Sequence, residues 1–205
     1  LYLVPINPRE IAATITCQVS PEQLLAYLPP GDVQRLVSFA APKLPTCWLI
    51  STTGRKTYDP LHQGDDVLFL PNGADEFSHY GKVIGKVRAE RLDDVEKVGF
   101  RRRWDVLGYL RAVTSIHVPA VWITTALGYD AKFKVNRGMR VREDRLDLLE
   151  AAHGPIAEWL GVARGAWDLA EPWNEDTSTW TAEDVVAGPR RQSQQRWFEA
   201  VVMHS

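Results

Sequence analysis

Two β-prone apolar runs, joined by a stretch of turn-forming residues, restrict the fold of this chain more than any other feature. Gly64-Asp65-Asp66 leads into Val67-Leu68-Phe69-Leu70, a buried-strand pattern. Pro71-Asn72-Gly73-Ala74-Asp75 follows, with Pro to fix φ, Gly to supply positive φ, and Asn and Asp to bond back to their own backbone. Tyr80-Gly81-Lys82-Val83-Ile84-Gly85-Lys86-Val87-Arg88-Ala89 predicts the second strand, its two glycines permitting a bend or a close approach of backbones. Upstream, Cys47-Trp48-Leu49-Ile50-Ser51-Thr52 predicts another strand, ended by the turn Thr53-Gly54-Arg55-Lys56. A strand–loop–strand meander of this kind suits a small, strongly curved β-barrel.

Helices flank it. Asn7-Pro8-Arg9-Glu10 reads as an N-cap with Pro at the first helical position. Ser20-Pro21-Glu22-Gln23 repeats the signature with Gln at the capping-box position. Pro29-Pro30-Gly31-Asp32 stops that helix, and a short one over 33–39 follows, so residues 1–45 read as a helical preface. Residues 92–116, rich in Arg and carrying Trp104, Leu107, Tyr109 and Leu110, predict a helix. Residues 118–123 fit a strand or a short helix after Pro119, and 129–135 alternate partly, as a strand would. A helix over 144–153 ends at Gly154-Pro155. Residues 156–189 read as a linker or extension, and 190–205 as the start of a fresh helix and a further domain. The class is α+β, with the barrel domain over 46–155.

The 205 residues are 45% hydrophobic and 24% charged, enough apolar mass for a core, and no run approaches the ~18 apolar residues of a membrane span. Two cysteines, Cys17 and Cys47, cannot make a disulfide framework or a structural zinc site, and with no secretory signal evident the expected address is cytoplasmic. The net charge of −2 hides an asymmetry: residues 82–145 hold 15 Lys and Arg against 8 Asp and Glu, and the rest 9 against 18. A basic middle in an acidic chain predicts a surface for a polyanion, with nucleic acid as the leading partner. The expected phosphate contacts are Arg101, Arg102, Arg103, Lys132, Lys134, Arg137 and Arg140.

Signatures of catalysis are scarce. The chain has no phosphate loop, dinucleotide fingerprint, His-Glu-x-x-His or Gly-x-Ser-x-Gly, and its five histidines never fall at ligand spacing. No carboxylate set suits a metal-dependent hydrolase, so the segment reads as a binder with no catalytic residue, metal or cofactor of its own. Aromatics are more informative: eight Trp, six Tyr and six Phe, several beside glycine. Trp48, Phe77, Tyr80, Trp104, Trp122, Tyr129 and Phe133 offer the flat faces that hold a base taken out of its stack, although large aromatics more often fill a core. The expected pocket is Trp48, Ser51, Thr52, Asn72, Tyr80, Trp104 and Trp122, with Ser51, Thr52 and Asn72 as polar partners.

Trp48-x-x-Ser51-Thr52-x-Gly54, Val67-Leu68-Phe69-Leu70-Pro71-Asn72-Gly73 and Tyr80-Gly81-Lys82-Val83-Ile84-Gly85 resemble the PUA-like superfamily, and within it the YTH and EVE domains. The resemblance spans roughly residues 46–150, with one extra residue between Trp48 and Ser51. It implies a small β-barrel whose aromatic cage accepts a modified base, with Trp48 as a cage wall, Asn72 near the pocket, and Trp104 and Trp122 as candidates for the later cage tryptophans. Residues 190–202, from Arg190-Arg191 through Arg196-Trp197-Phe198, are similar to the helix that opens many HNH endonuclease domains. Together these imply the recognition domain of a modification-dependent restriction endonuclease, whose downstream nuclease would use a divalent metal. The expected partner is double-stranded DNA with a methylated or hydroxymethylated cytosine flipped into the pocket, with a homodimer left open. An RNA-binding module reading N6-methyladenine, or acting in RNA modification or translation, is the alternative.

Overall fold

A computed structural model of the chain describes residues 1–25, 28–51, 55–88 and 104–161, all within the unit Leu1–Pro172. Strand β1 (Tyr2–Ile6) opens the chain, followed by α1 (Pro8–Glu10), which widens into a π-helical turn over Ile11–Ile15. Then come α2 (Pro21–Leu25), α3 (Pro30–Ala40), β2 (Thr46–Ser51), α4 (Arg55–Tyr58), β3 (Asp66–Pro71) and β4 (Glu76–Arg88). Strand β5 (Trp104–Pro119), α5 (Ala120–Ala126), β6 (Met139–Arg140), α6 (Glu143–His153) and α7 (Ile156–Trp159) complete the described chain. The caps form as the sequence predicts. The Asn7 side chain accepts from the Arg9 amide at 2.9 Å. Ser20 and Gln23 satisfy each other's backbone N–H at 3.3 and 2.9 Å, a reciprocal capping box.

The six strands form one mixed sheet in the order β2-β5-β4-β3-β1-β6, with β1 and β3 parallel and every other pairing antiparallel. Across the β4–β5 ladder the register shifts three times, at Phe77/His79, Tyr80/Lys82 and Val83/Gly85. The last two shifts fall at the glycines Gly81 and Gly85, where bulges bend a strand and increase its twist. The bend is large. On a flat sheet β2 and β3 would stand three strand spacings apart, about 14 Å, yet the rings of Trp48 and Phe69 meet at 5.5 Å. The sheet is therefore curled into the curved α+β architecture expected from the meander.

Alternate residues feed two cores. Tyr2, Val4 and Ile6 of β1 and Val67 and Phe69 of β3 point into the concave side, with Trp48, Ile50, Tyr58, Val83 and Leu110. Leu3 of β1 and Leu68 and Leu70 of β3 point to the convex side, with Phe77, Tyr80, Ile123, Leu127, Leu149 and Ile156. A strand buried on both faces reads as an unbroken apolar run, which explains Val67-Leu68-Phe69-Leu70.

Several expectations are corrected. The expected preface contains β1, whose run Leu1-Tyr2-Leu3-Val4-Pro5-Ile6 has no alternation because both of its faces are buried. Residues 104–116, expected in a helix, lie in β5; the bulged pairing spaces its apolar residues three apart and so imitates a helical stripe. The ambiguity over 118–123 resolves as helix α5 after Pro119. Residues 129–135 make no strand: the alternation survives as burial, with Lys132 and Lys134 out and Phe133 and Val135 in, but no neighbouring strand pairs with it. Helix α7 sets Ile156 into the convex core, inside the segment expected to be a linker.

Candidate nucleic-acid interface

The expected pocket does not assemble as a unit. Trp48 is 3% exposed, its ring edge-on to Tyr58 at 4.7 Å and to Phe69, so it is a core residue of the concave side. Tyr80 is fully buried on the convex side, and its hydroxyl donates to Asp66, which also takes Lys82 at 3.1 Å. Burial, reinforced by the Asp66 charge and hydrogen bond, pushes the Tyr80 phenol up, so it stays a neutral donor. Both aromatics lie on strands whose two faces are covered, and packing claims their rings. Trp122 is 65% exposed on α5. Ser51 and Trp104 are register partners at the β2–β5 end, their side chains outside the described residues together with Thr52, Arg101, Arg102 and Arg103.

Three expected residues do converge. Asn72, Lys132 and Lys134 line a cleft of about 580 Å³ between the β3–β4 turn, the start of α5 and the 131–136 loop, within the range of small-ligand sites. Its remaining wall includes Asp75, Glu76, Val121, Phe133 and Asn136. Local chemistry fixes each side. In the turn, Ala74 N–H donates to Pro71 O at 2.9 Å, and Gly73 takes φ +84°, a conformation that favours glycine. The Asp75 carbonyl accepts from Ala120 N–H at 2.7 Å, tying the turn to the start of α5. Opposite, Asp130 closes an Asx turn, its carboxylate accepting from Lys132 N–H at 2.7 Å and its carbonyl from Phe133 N–H at 2.8 Å.

That turn lays Phe133 on Tyr129, and Arg145 covers the other partner: its guanidinium lies 4.1 Å from the Tyr129 centroid while Nη1 donates to Leu127 O at 2.9 Å. The result is a stack of Arg145, Tyr129 and Phe133 that ends in a ring lining the cleft. A flat ring backed in this way is a preorganised stacking surface. Lys132, Lys134 and Arg137 are exposed and form no ion pair among the described residues. Arg140 is different: Glu143 holds it at 3.3 Å, so part of its charge is already neutralised.

Sequence reasoning found Phe133 and Tyr129 among the candidate aromatics but did not join them to Asn72. Asp75 reads from sequence only as a turn residue and Glu76 carries no signal there, while the Asp-Ala-Lys-Phe-Lys turn signature at 130–134 is the available pointer to Phe133.

No family model matches the chain, and no curated protein matches it. Among solved structures it is similar to the N-terminal domain of Thermococcus gammatolerans McrB bound to m5C DNA. The TM-score is 0.57 at 17% identity, over 74% of this chain and 95% of that one. At this identity the likeness is one of architecture: the chain shares the curled-sheet α+β fold of that McrB domain.

Proposed function

We propose that this domain binds double-stranded DNA carrying a modified base, with 5-methylcytosine and 5-hydroxymethylcytosine foremost. The observation that carries the proposal is the likeness of fold to a McrB domain bound to m5C DNA. The base leaves the helix and enters the cleft, stacking on Phe133, while Lys132, Lys134 and Arg137 meet backbone phosphates. Asp75 and Glu76 on the facing wall suit the exocyclic amine of cytosine, a donor that carboxylates accept. Burying one methyl contributes about 1 kcal/mol, roughly a fivefold preference, so stronger discrimination falls to polar groups such as Asn72. On this reading the chain is the recognition part of a modification-dependent restriction endonuclease. The HNH-like segment that supports the nuclease, at 190–205, lies outside the described residues.

The test is a binding titration at two salt concentrations with matched duplexes carrying cytosine, 5-methylcytosine, 5-hydroxymethylcytosine, adenine or N6-methyladenine, and with a single-stranded RNA of the same sequence. Tighter binding to a modified-cytosine duplex at both salts is the expected result. Preference for N6-methyladenine would replace the base, and equal, salt-labile binding to all would reduce the domain to an electrostatic module. Tighter binding to single-stranded RNA would move the function to RNA.

A further inference from the structure

Trp122 follows Val121, which lines the cleft, yet its own ring stands outside, at 65% exposure the most open large hydrophobic among the described residues. Its mount is rigid. Helix α5 and its C-cap sink Ile123 and Leu127 completely into the convex core, and Thr124, 1% exposed, donates its hydroxyl to Ala120 O at 3.0 Å. The start of the helix is held by the Ala120–Asp75 bond. An indole held in water on a fixed support, next to exposed Val121, is surface that gains free energy when a partner covers it.

The charges nearby select the partner. Lys132 and Lys134 share the cleft with Val121 and form no ion pair among the described residues, so an apolar protein face would leave them uncompensated. A nucleic-acid duplex offers phosphates to those ammonium groups and, where one base has left the stack, a flat apolar gap the width of a ring.

We propose that Trp122 is a wedge that enters the duplex beside the extruded base and stacks on the neighbouring base, stabilising the opened state. The proposal rests on the cleft as the receiving site for that base, and it assigns Trp122 to the DNA helix instead of to the pocket.

Three duplexes test it with the whole chain: 5-methylcytosine paired with guanine, 5-methylcytosine opposite an abasic site, and unmodified cytosine. Each carries 2-aminopurine next to the target as a reporter of unstacking. Trp122→Ala is expected to weaken binding to the paired duplex about tenfold, as loss of one aromatic stack does. It should leave affinity for the abasic-opposed duplex, whose target base is already poorly held, nearly unchanged, and at saturating protein it should brighten the 2-aminopurine that the indole otherwise keeps stacked. Trp122→Phe should restore most of the loss. Equal loss on both modified duplexes, or no loss on either, overturns the wedge. Failure of the underlying reading looks different: wild-type protein would then bind all three duplexes alike. In that case the wedge stands if Trp122→Ala still brightens the reporter and falls if it does not.

Discussion

The ring of Phe133 lies flat against that of Tyr129, with centroids 4.4 Å apart and planes 17° from parallel. Arg145, over the same Tyr129, belongs to α6, so a loop residue is aligned through a side chain borne on a helix. Phe133→Leu keeps an apolar side chain but removes the flat face. It is expected to weaken binding to modified DNA about tenfold with little change in melting temperature. Parallel DNA titration and thermal unfolding check both halves of that expectation.

Free and neutralised cations should differ in salt dependence. Lys132→Gln and Lys134→Gln are each expected to reduce the slope of log K against log salt by about 0.9, one phosphate's share. Arg140→Gln should change it less, because Glu143 already holds that guanidinium. Affinities measured across a salt series give the slopes.

Trp48 carries stability. Trp48→Ala removes a ring that packs against Tyr58 and Phe69 and lies over Gly108, where a Cβ would come within 3.2 Å of it. The expected cost is roughly 3–5 kcal/mol in denaturant unfolding. Trp48→Phe should stay folded and keep its preference among duplexes. If that folded variant loses selectivity while Phe133→Leu retains it, the base-receiving site belongs at Trp48.

Gly138 makes room for Tyr58. A Cβ there would overlap the Tyr58 hydroxyl and stand 2.6 Å from its Cζ, and the ring cannot swing freely because Trp48 packs against it. Gly138→Ala is expected to cost about 1–3 kcal/mol. Combining it with Tyr58→Leu should be less costly than the two single effects added, a coupling that a double-mutant cycle measures.

Stability should also respond to mild acid through His79. Burial, and then the nearby His117, hold its pKa below the usual histidine value, while Ser78 Oγ lies 2.8 Å from Nδ1. The unfolded chain therefore takes up this proton more readily than the folded one. Stability is lost as pH falls through the ordinary histidine range near 6.5, and the loss levels off below the depressed folded value. Denaturant midpoints between pH 8 and 5 should show this decline, and His79→Gln should flatten it.

Local chemistry determined much of this protein from the sequence alone. The caps at Asn7 and Ser20, the Pro71–Asp75 turn with its left-handed glycine, the β3 and β4 runs and the stop at Gly154 each depend on residues within a few positions of one another. That is why the curved α+β architecture was legible. Tertiary structure decided the rest, because it depends on partners distant along the chain. β1 is a strand because β3, more than sixty residues away, pairs with it. β5 is a strand because the bulged pairing with β4 outweighs a spacing that also suits a helix. The roles of the aromatics divide on the same ground: curling of the sheet buries Trp48 and Tyr80, while a single Asx turn and an arginine from α6 set Phe133 at the cleft. Sequence supplies the flat rings, and only the closure of the sheet determines which of them remain free for a ligand.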